Sequence, residues 1–200
     1  MKVVRAFRNK RPGSVGGIES TELTLEDGTT KTCKFIRGAI VFPHQDYPGI
    51  TLLALKLLGS EVVDIVEEKL FTDIAGAIEV LDELSAYLPS LYYYDENAES
   101  EGFISYLRRA PELRGKIPLV PASHADAVDY GLRLIQDFLA AERLKLPTDG
   151  ILVSQLQAGR HESPAEEVYG ITCLRYLLAG IKELSWEREI EDFNLESCLA

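Results

Sequence analysis

Two hundred residues with 46% apolar and 26% charged side chains suit one globular domain with a real core. The net charge of −11 argues against a chain that holds nucleic acid by bulk charge alone, since that affinity comes mostly from Lys and Arg meeting phosphates. No apolar run approaches the ~20 residues of a membrane span, and the N-terminus MKVVRAFRNKRPG lacks the apolar stretch of a secretory signal, so a cytoplasmic location is expected. Cys33, Cys173 and Cys198 are odd in number and far apart, which points to neither a disulfide framework nor a zinc site.

Residues 1–17 are basic and then Gly-rich, and read as an arm or loop. Lys2, Arg5, Arg8, Lys10 and Arg11 form its small cationic cluster. STELTLE, Asp27-Gly28 and TTKTCKFI predict a hairpin, because Asp-Gly between alternating runs is a two-residue turn signal. Three strands follow: GAIVF at 38–42, ITLLALKL at 50–57 and EVVDIV at 61–66. Their short connections predict an antiparallel meander.

The period then changes from two to about 3.6. Thr72 is placed to cap a helix carrying Ile74, Ala77, Ile78, Leu81, Leu84 and Leu88, which Pro89 stops. Leu91–Tyr94 predicts a buried strand, followed by a helix over 98–109 and a short strand over 117–120. Ser123 is placed to cap a long helix to about Leu144, with Val128, Leu132, Ile135, Leu139 and Leu144 on its inner face. A shorter helix spans 149–159. Ser163-Pro164 with Glu166 and Glu167 opens a last helix with Val168, Ile171, Leu174, Leu178 and Ile181 inward. The tail from Trp186 is acidic.

The order predicts an α/β fold of ribonuclease H-like type: a mixed sheet, built from the three-stranded meander plus two further strands, with helices on both faces. The expected organisation is an arm and hairpin over 1–37, a ribonuclease H-like domain over 38–184 and an acidic tail over 185–200. Within it, Asp95 and Glu96 fall where the strand Leu91–Tyr94 stops. A carboxylate at the carboxyl end of a buried strand is placed for metal ligation or acid catalysis. On local pattern alone, capping the following helix is the plainer reading of Asp95.

Several pieces together resemble the C-terminal nuclease domain of phage terminase large subunits. They are VVDIVEEKLFTDIAGAIEVL, LYYYDENAESEGFISYLRR, IPLVPASHADAVDYGLRLIQDFL with RLKLP, LVSQL and CLRYLLAGI, in that order over residues 38–180. The packaging ATPase of that family has no counterpart, because no GxxxxGK[ST] phosphate loop occurs. The resemblance implies DNA hydrolysis linked to genome packaging, with carboxylates holding two Mg²⁺ or Mn²⁺ ions about 4 Å apart. It also implies DNA and other phage packaging proteins as partners.

Carried over residue by residue, the fourth-strand acid matches Asp95, with Glu96 beside it. The first-strand acid falls at Phe42, the last-helix acid at Thr172, and the acid of the LVSQL segment at Gln155. Asp46 is the nearest acid to Phe42, up to ~13 Å along an extended chain unless the loop folds back. Glu166 and Glu167 point roughly 120° to 140° away from Thr172 around the helix. The expected metal ligands are therefore Asp95, Asp46 and Glu96, with Asp95 catalytic; a single aspartate holds Mg²⁺ poorly. A non-enzymatic protein-interaction module on the same fold is the alternative.

Other constellations have plainer readings. His44 beside Asp46 would suit a rebuilt metal site with Asp95, but isolated histidines are more often surface or core residues. Ser123, His124 and Asp126 look like a triad in composition, and helix capping explains Ser123 better. Tyr92, Tyr93 and Tyr94 would stack on bases or, more simply, fill the sheet core.

Overall fold

The computed structural model describes residues 2–10, 18–45, 47–94, 98–122, 128–158 and 169–182. Strands β1 (Val3–Lys10), β2 (Ile18–Leu25), β3 (Thr30–Val41), β4 (Gly49–Leu57) and β5 (Val63–Phe71) precede helix α1 (Ile74–Ser85). Then come β6 (Leu91–Tyr94), α2 (Ala98–Arg109), a 3₁₀ turn (Pro111–Leu113), β7 (Leu119–Pro121), α3 (Val128–Ala140), β8 (Leu144–Lys145) and α4 (Ile151–Ala158). A last helix, α5, is described over 169–182. Among the described residues no helix is long and apolar enough to cross a membrane.

The meander β3-β4-β5 is antiparallel, and β6 and β7 join it in parallel alongside β3. The α/β mixed sheet is as the sequence predicts, and it is larger. Residues 3–10, expected as arm or loop, form β1, which pairs antiparallel with β2. Leu144, expected at a helix end, forms β8 and pairs in parallel with Val63. The third meander strand runs on to Phe71.

Local chemistry accounts for the boundaries. The β2–β3 hairpin closes through a β-turn, Leu25 O accepting from Gly28 N, and Gly28 at φ +81° then supplies the left-handed residue. The loop is thus longer than the Asp27-Gly28 pair suggests. Asp73, not Thr72, caps α1: its carboxylate accepts from Gly76 N at 2.8 Å. Helix α1 stops at Ser85, before the predicted Leu88, whose own φ is +53°. Helix α3 ends in a Schellman motif, with Arg143 N donating to Phe138 O and Glu142 N to Leu139 O. Glu142 takes the left-handed position at φ +54°.

Helices cover both faces. On one, α1 (Ala77, Leu81, Leu84) and α2 (Ile104, Leu107) pack on Ile36, Ile40, Leu53, Leu55 and Tyr92. On the other, α3, α4 and α5 pack on Ala39, Ile50, Leu52, Ala54, Ile65 and Tyr93. The inner stripe of α3 is Gly131, Leu134, Ile135 and Phe138, while Leu132 and Leu139 are exposed. This one-residue change of phase follows from Gly131, where a Cβ would meet Arg175 of α5 at 2.8 Å. Helix α5 is buried nearly all round, from Cys173 to Ile181, rather than along one stripe.

Candidate functional site at the carboxyl end of the central strands

Strands β3 and β6 run side by side in the register Arg37↔Leu91, Gly38↔Tyr92, Ala39↔Tyr93 and Ile40↔Tyr94, so both finish at one rim of the sheet. Strand β6 has partners on both edges, β3 and β7. The tyrosines fix this strand. Tyr92 is fully buried over Gly38, where even a Cβ would lie 2.2 Å from the ring. Tyr93 points to the opposite face and donates to Gly180 O of α5 at 3.0 Å. Tyr94 Oη accepts from Arg108 of α2 at 3.4 Å. All three belong to the core rather than to a stacking surface. Ser90 anchors the strand's start, both its N–H and its hydroxyl donating to Ile36 O.

Asp95 and Glu96 follow Tyr94 directly, and with Asp46 they lie outside the described residues. So do Ser123, His124, Asp126, Glu166 and Glu167. The loop after β3 turns within residues 44–47, because His44 and Tyr47 exchange backbone hydrogen bonds of 3.0 and 3.3 Å. The His44 ring stacks on Tyr47 at 5.2 Å, and Tyr47 stacks on Tyr169 of α5 at 5.9 Å. This ladder ties the loop to α5 one helical turn before Thr172.

The positions where the resemblance implies ligands carry other duties. Phe42 lies flat on Phe103 of α2, with ring centres 5.0 Å apart and planes at 15°. Such a pair contributes ~0.5–1.5 kcal/mol beyond the area it buries. Gln155 is buried, and its Oε1 accepts from Gly170 N at 2.8 Å and Ile171 N at 3.2 Å, joining α4 to α5. Thr172 is half-buried and offers a neutral hydroxyl. None of the three fits a two-ion carboxylate centre. Among the described residues, no three His, Cys, Asp or Glu side chains gather as a ligand set.

One carboxylate near this rim escaped the sequence pattern. Glu68 stands on the α3–α5 face of β5, in line across the sheet with Leu52, Ala39 and Tyr93. Its Oε2 accepts from Ile151 N at 2.6 Å and Leu152 N at 3.4 Å, capping α4 from outside. Its Oε1 is buried without a hydrogen-bond partner, and burial raises the carboxyl above its usual range despite the two backbone donors. Simple alternation from Ile65 would send Glu67 to this face. A register shift, with Leu53 opposite Glu67 and Ala54 opposite Ile65, sends Glu68 there instead.

The strand order β7-β6-β3-β4-β5, with helices on both faces, makes a mixed α/β sheet of ribonuclease H-like type, and this fold is similar to that of phage large-terminase nuclease domains. The chain superimposes on the large terminase of a thermophilic bacteriophage with a TM-score of 0.54 at 15% identity. That match covers 73% of this chain and 40% of the terminase, so the chain spans well under half of that protein's length. It superimposes on the nuclease domain of the large terminase g2p of bacteriophage SPP1, solved with bound Mn, with a TM-score of 0.53 at 11% identity. There 71% of this chain and 84% of the other are covered. At these identities the likeness is one of fold. No family model and no curated protein matches the sequence.

Proposed function

We propose that this chain is a terminase-nuclease-like domain of phage or prophage origin that serves genome packaging, with its metal-dependent DNA hydrolysis degenerate. The observation that carries this reading is the Phe42–Phe103 stack. It occupies the end of β3, where the resemblance implies the first metal-binding acid, with two rings that carry no donor atom. Gln155 and Thr172 support it, since one is committed to backbone N–H groups and the other is neutral. Mg²⁺ and Mn²⁺ require several hard oxygen ligands. In this proposal Asp95, Asp46 and Glu96 are what is left of the ligand set, too few to hold two ions. The domain's work is then to bind DNA or other packaging proteins in the host cytoplasm.

The second reading is an active nuclease whose site is rebuilt from Asp95, Asp46 and Glu96 with His44. Two measurements separate the readings. Mn²⁺ at sub-millimolar concentration should leave the melting temperature of the wild type unchanged, because only binding to the folded state shifts it. Supercoiled plasmid should stay intact with Mn²⁺. Cutting that Asp95→Ala abolishes establishes the rebuilt site and sinks degeneracy.

A further inference from the structure

Strand β1 ends one side of the sheet: it pairs with β2, and its other edge meets no strand among the described residues. Such an edge presents every second N–H and C=O outward without a ladder partner. Irregularities interrupt β1 between Val3 and Arg5 and between Asn9 and Lys10, which leaves Arg5–Asn9 in unbroken register. Within that run Ala6 and Arg8 face the core. Ala6 packs on the cluster that holds Leu23, and Arg8 donates to Leu88 O and Pro89 O. Alternation puts Arg5 and Phe7 on the other face, opposite Thr24 and Glu22. Phe7 is 56% exposed there, and Val4 beside Arg5 is 67% exposed. Arg5 is exposed and makes no ion pair among the described residues. Residues 1–17 hold five cations and no acid, in a chain whose net charge is −11.

We propose that the free edge of β1 takes an acidic, extended segment of a partner protein as an added strand. The inference goes beyond the packaging reading and does not depend on it. Two features select the occupant. The row of outward backbone groups selects a polypeptide, because a strand offers N–H and C=O in matching alternation, whereas a sugar–phosphate backbone offers no N–H donor. The charge selects an acidic strand over a second copy of this chain. Two β1 strands laid edge to edge would bring cations beside cations, and like charges across a ladder destabilise it. Charges that guard an edge against self-pairing thus leave it open to a strand of opposite sign. The register sets the pattern such a strand needs. In an antiparallel partner the residue opposite Phe7 is apolar, the next lies opposite Ala6, and the one after, opposite Arg5, is acidic.

The test is fluorescence anisotropy with a labelled Thr-rich peptide carrying Ile-Thr-Asp at its centre, joined to hydrogen exchange of the complex. Wild type should bind the peptide, and the amides of β1 should then exchange more slowly while those of β4 do not change. N-methylation of alternate peptide amides removes the donors of one edge and keeps every side chain, so one of the two alternate sets should abolish binding. Arg5→Glu, at an exposed position, should melt with wild type, weaken binding ~5-fold or more, and favour a peptide carrying Ile-Thr-Lys instead. No binding by wild type overturns the proposal. So does binding that both N-methylated peptides retain, which would mean that charge alone holds the peptide. Self-association of the chain in sedimentation, removed by Phe7→Glu, assigns the edge to a second copy and overturns it as well.

Discussion

Gly38→Ala tests the contact that sets the position of β6 and hence of the segment leading into Asp95. A Cβ at residue 38 would stand 2.2, 2.4 and 2.5 Å from three ring atoms of Tyr92, where ordinary contact begins at 3.4 Å. The ring would have to move by about an ångström. It has no room to do so, being fully buried between β3 and helices α1 and α2, with its hydroxyl 3.3 Å from that of Thr51. Forcing atoms into a filled core costs ~1–3 kcal/mol, and three simultaneous overlaps put this case near the top, about 3 kcal/mol. In a chain of this size that is roughly 6–12 °C of melting temperature. With Tyr92→Val in place, the space is empty. Gly38→Ala should then be neutral or stabilise by ~0.4–1 kcal/mol, because alanine restricts the unfolded chain. Urea unfolding of both single variants and the double, followed by far-UV circular dichroism, gives the coupling directly, expected at ~3–4 kcal/mol. An equal cost of Gly38→Ala in both backgrounds would refute the idea that this ring dictates glycine at position 38.

Glu68→Gln reports on the buried carboxylate over α4. Its pKa is raised in the folded protein, so the native state holds more protons, and the stability it contributes at low pH is lost as pH rises from the unfolded value through the folded one. The stability of Glu68→Gln relative to wild type should therefore be more favourable at pH 7 than at pH 4, by urea midpoints; the opposite trend would contradict burial as the cause. Cys33 and Cys173 are buried thiols, and burial pushes Cys33 up to about 11 and Cys173 higher still. Neither should react with a thiol reagent at pH 8 until the chain unfolds, as mass spectrometry of labelled peptides would read. Arg8→Met removes the guanidinium that donates to Leu88 O and Pro89 O, at 3.4 and 3.1 Å, linking β1 to the chain after α1. The loss should be about 1–2 kcal/mol. Hydrogen exchange should accelerate in β1 before it does in β4.

Signals confined to a few neighbouring residues were legible in the sequence. The limits of α2, the hairpin at Asp27-Gly28 and the strand Leu91–Tyr94 all come from local pattern and turn chemistry. What the sequence concealed depends on distant partners. The two residues of β8 become a strand only because Val63 lies beside Leu144. Strand β1 was hidden by its charges, and its pairing is broken by irregularities near both ends. Glu68 reaches its face through a register shift that no alternation rule foresees. At the rim, the resemblance located the positions 42, 155 and 172, and their lack of carboxylates could be read at once. What occupies the space instead could not, because Phe103, Gly170 and Tyr169 lie far away in sequence.

Strand β3 carries β4 along one edge, while its other edge is divided: Thr30–Cys33 pairs with β2 and Arg37–Ile40 with β6. Two ladders thus abut end to end on a single backbone, with Ile36 and its bond to Ser90 at the junction. The amino-terminal hairpin therefore meets β3 on a ladder separate from the one that aligns the rim, while its Leu23 packs in the same core cluster as Ile36, Ile40 and Tyr92. Shedding it would strip partners from residues 30–33 and leave a short adhesive margin, open to a strand from a neighbouring molecule.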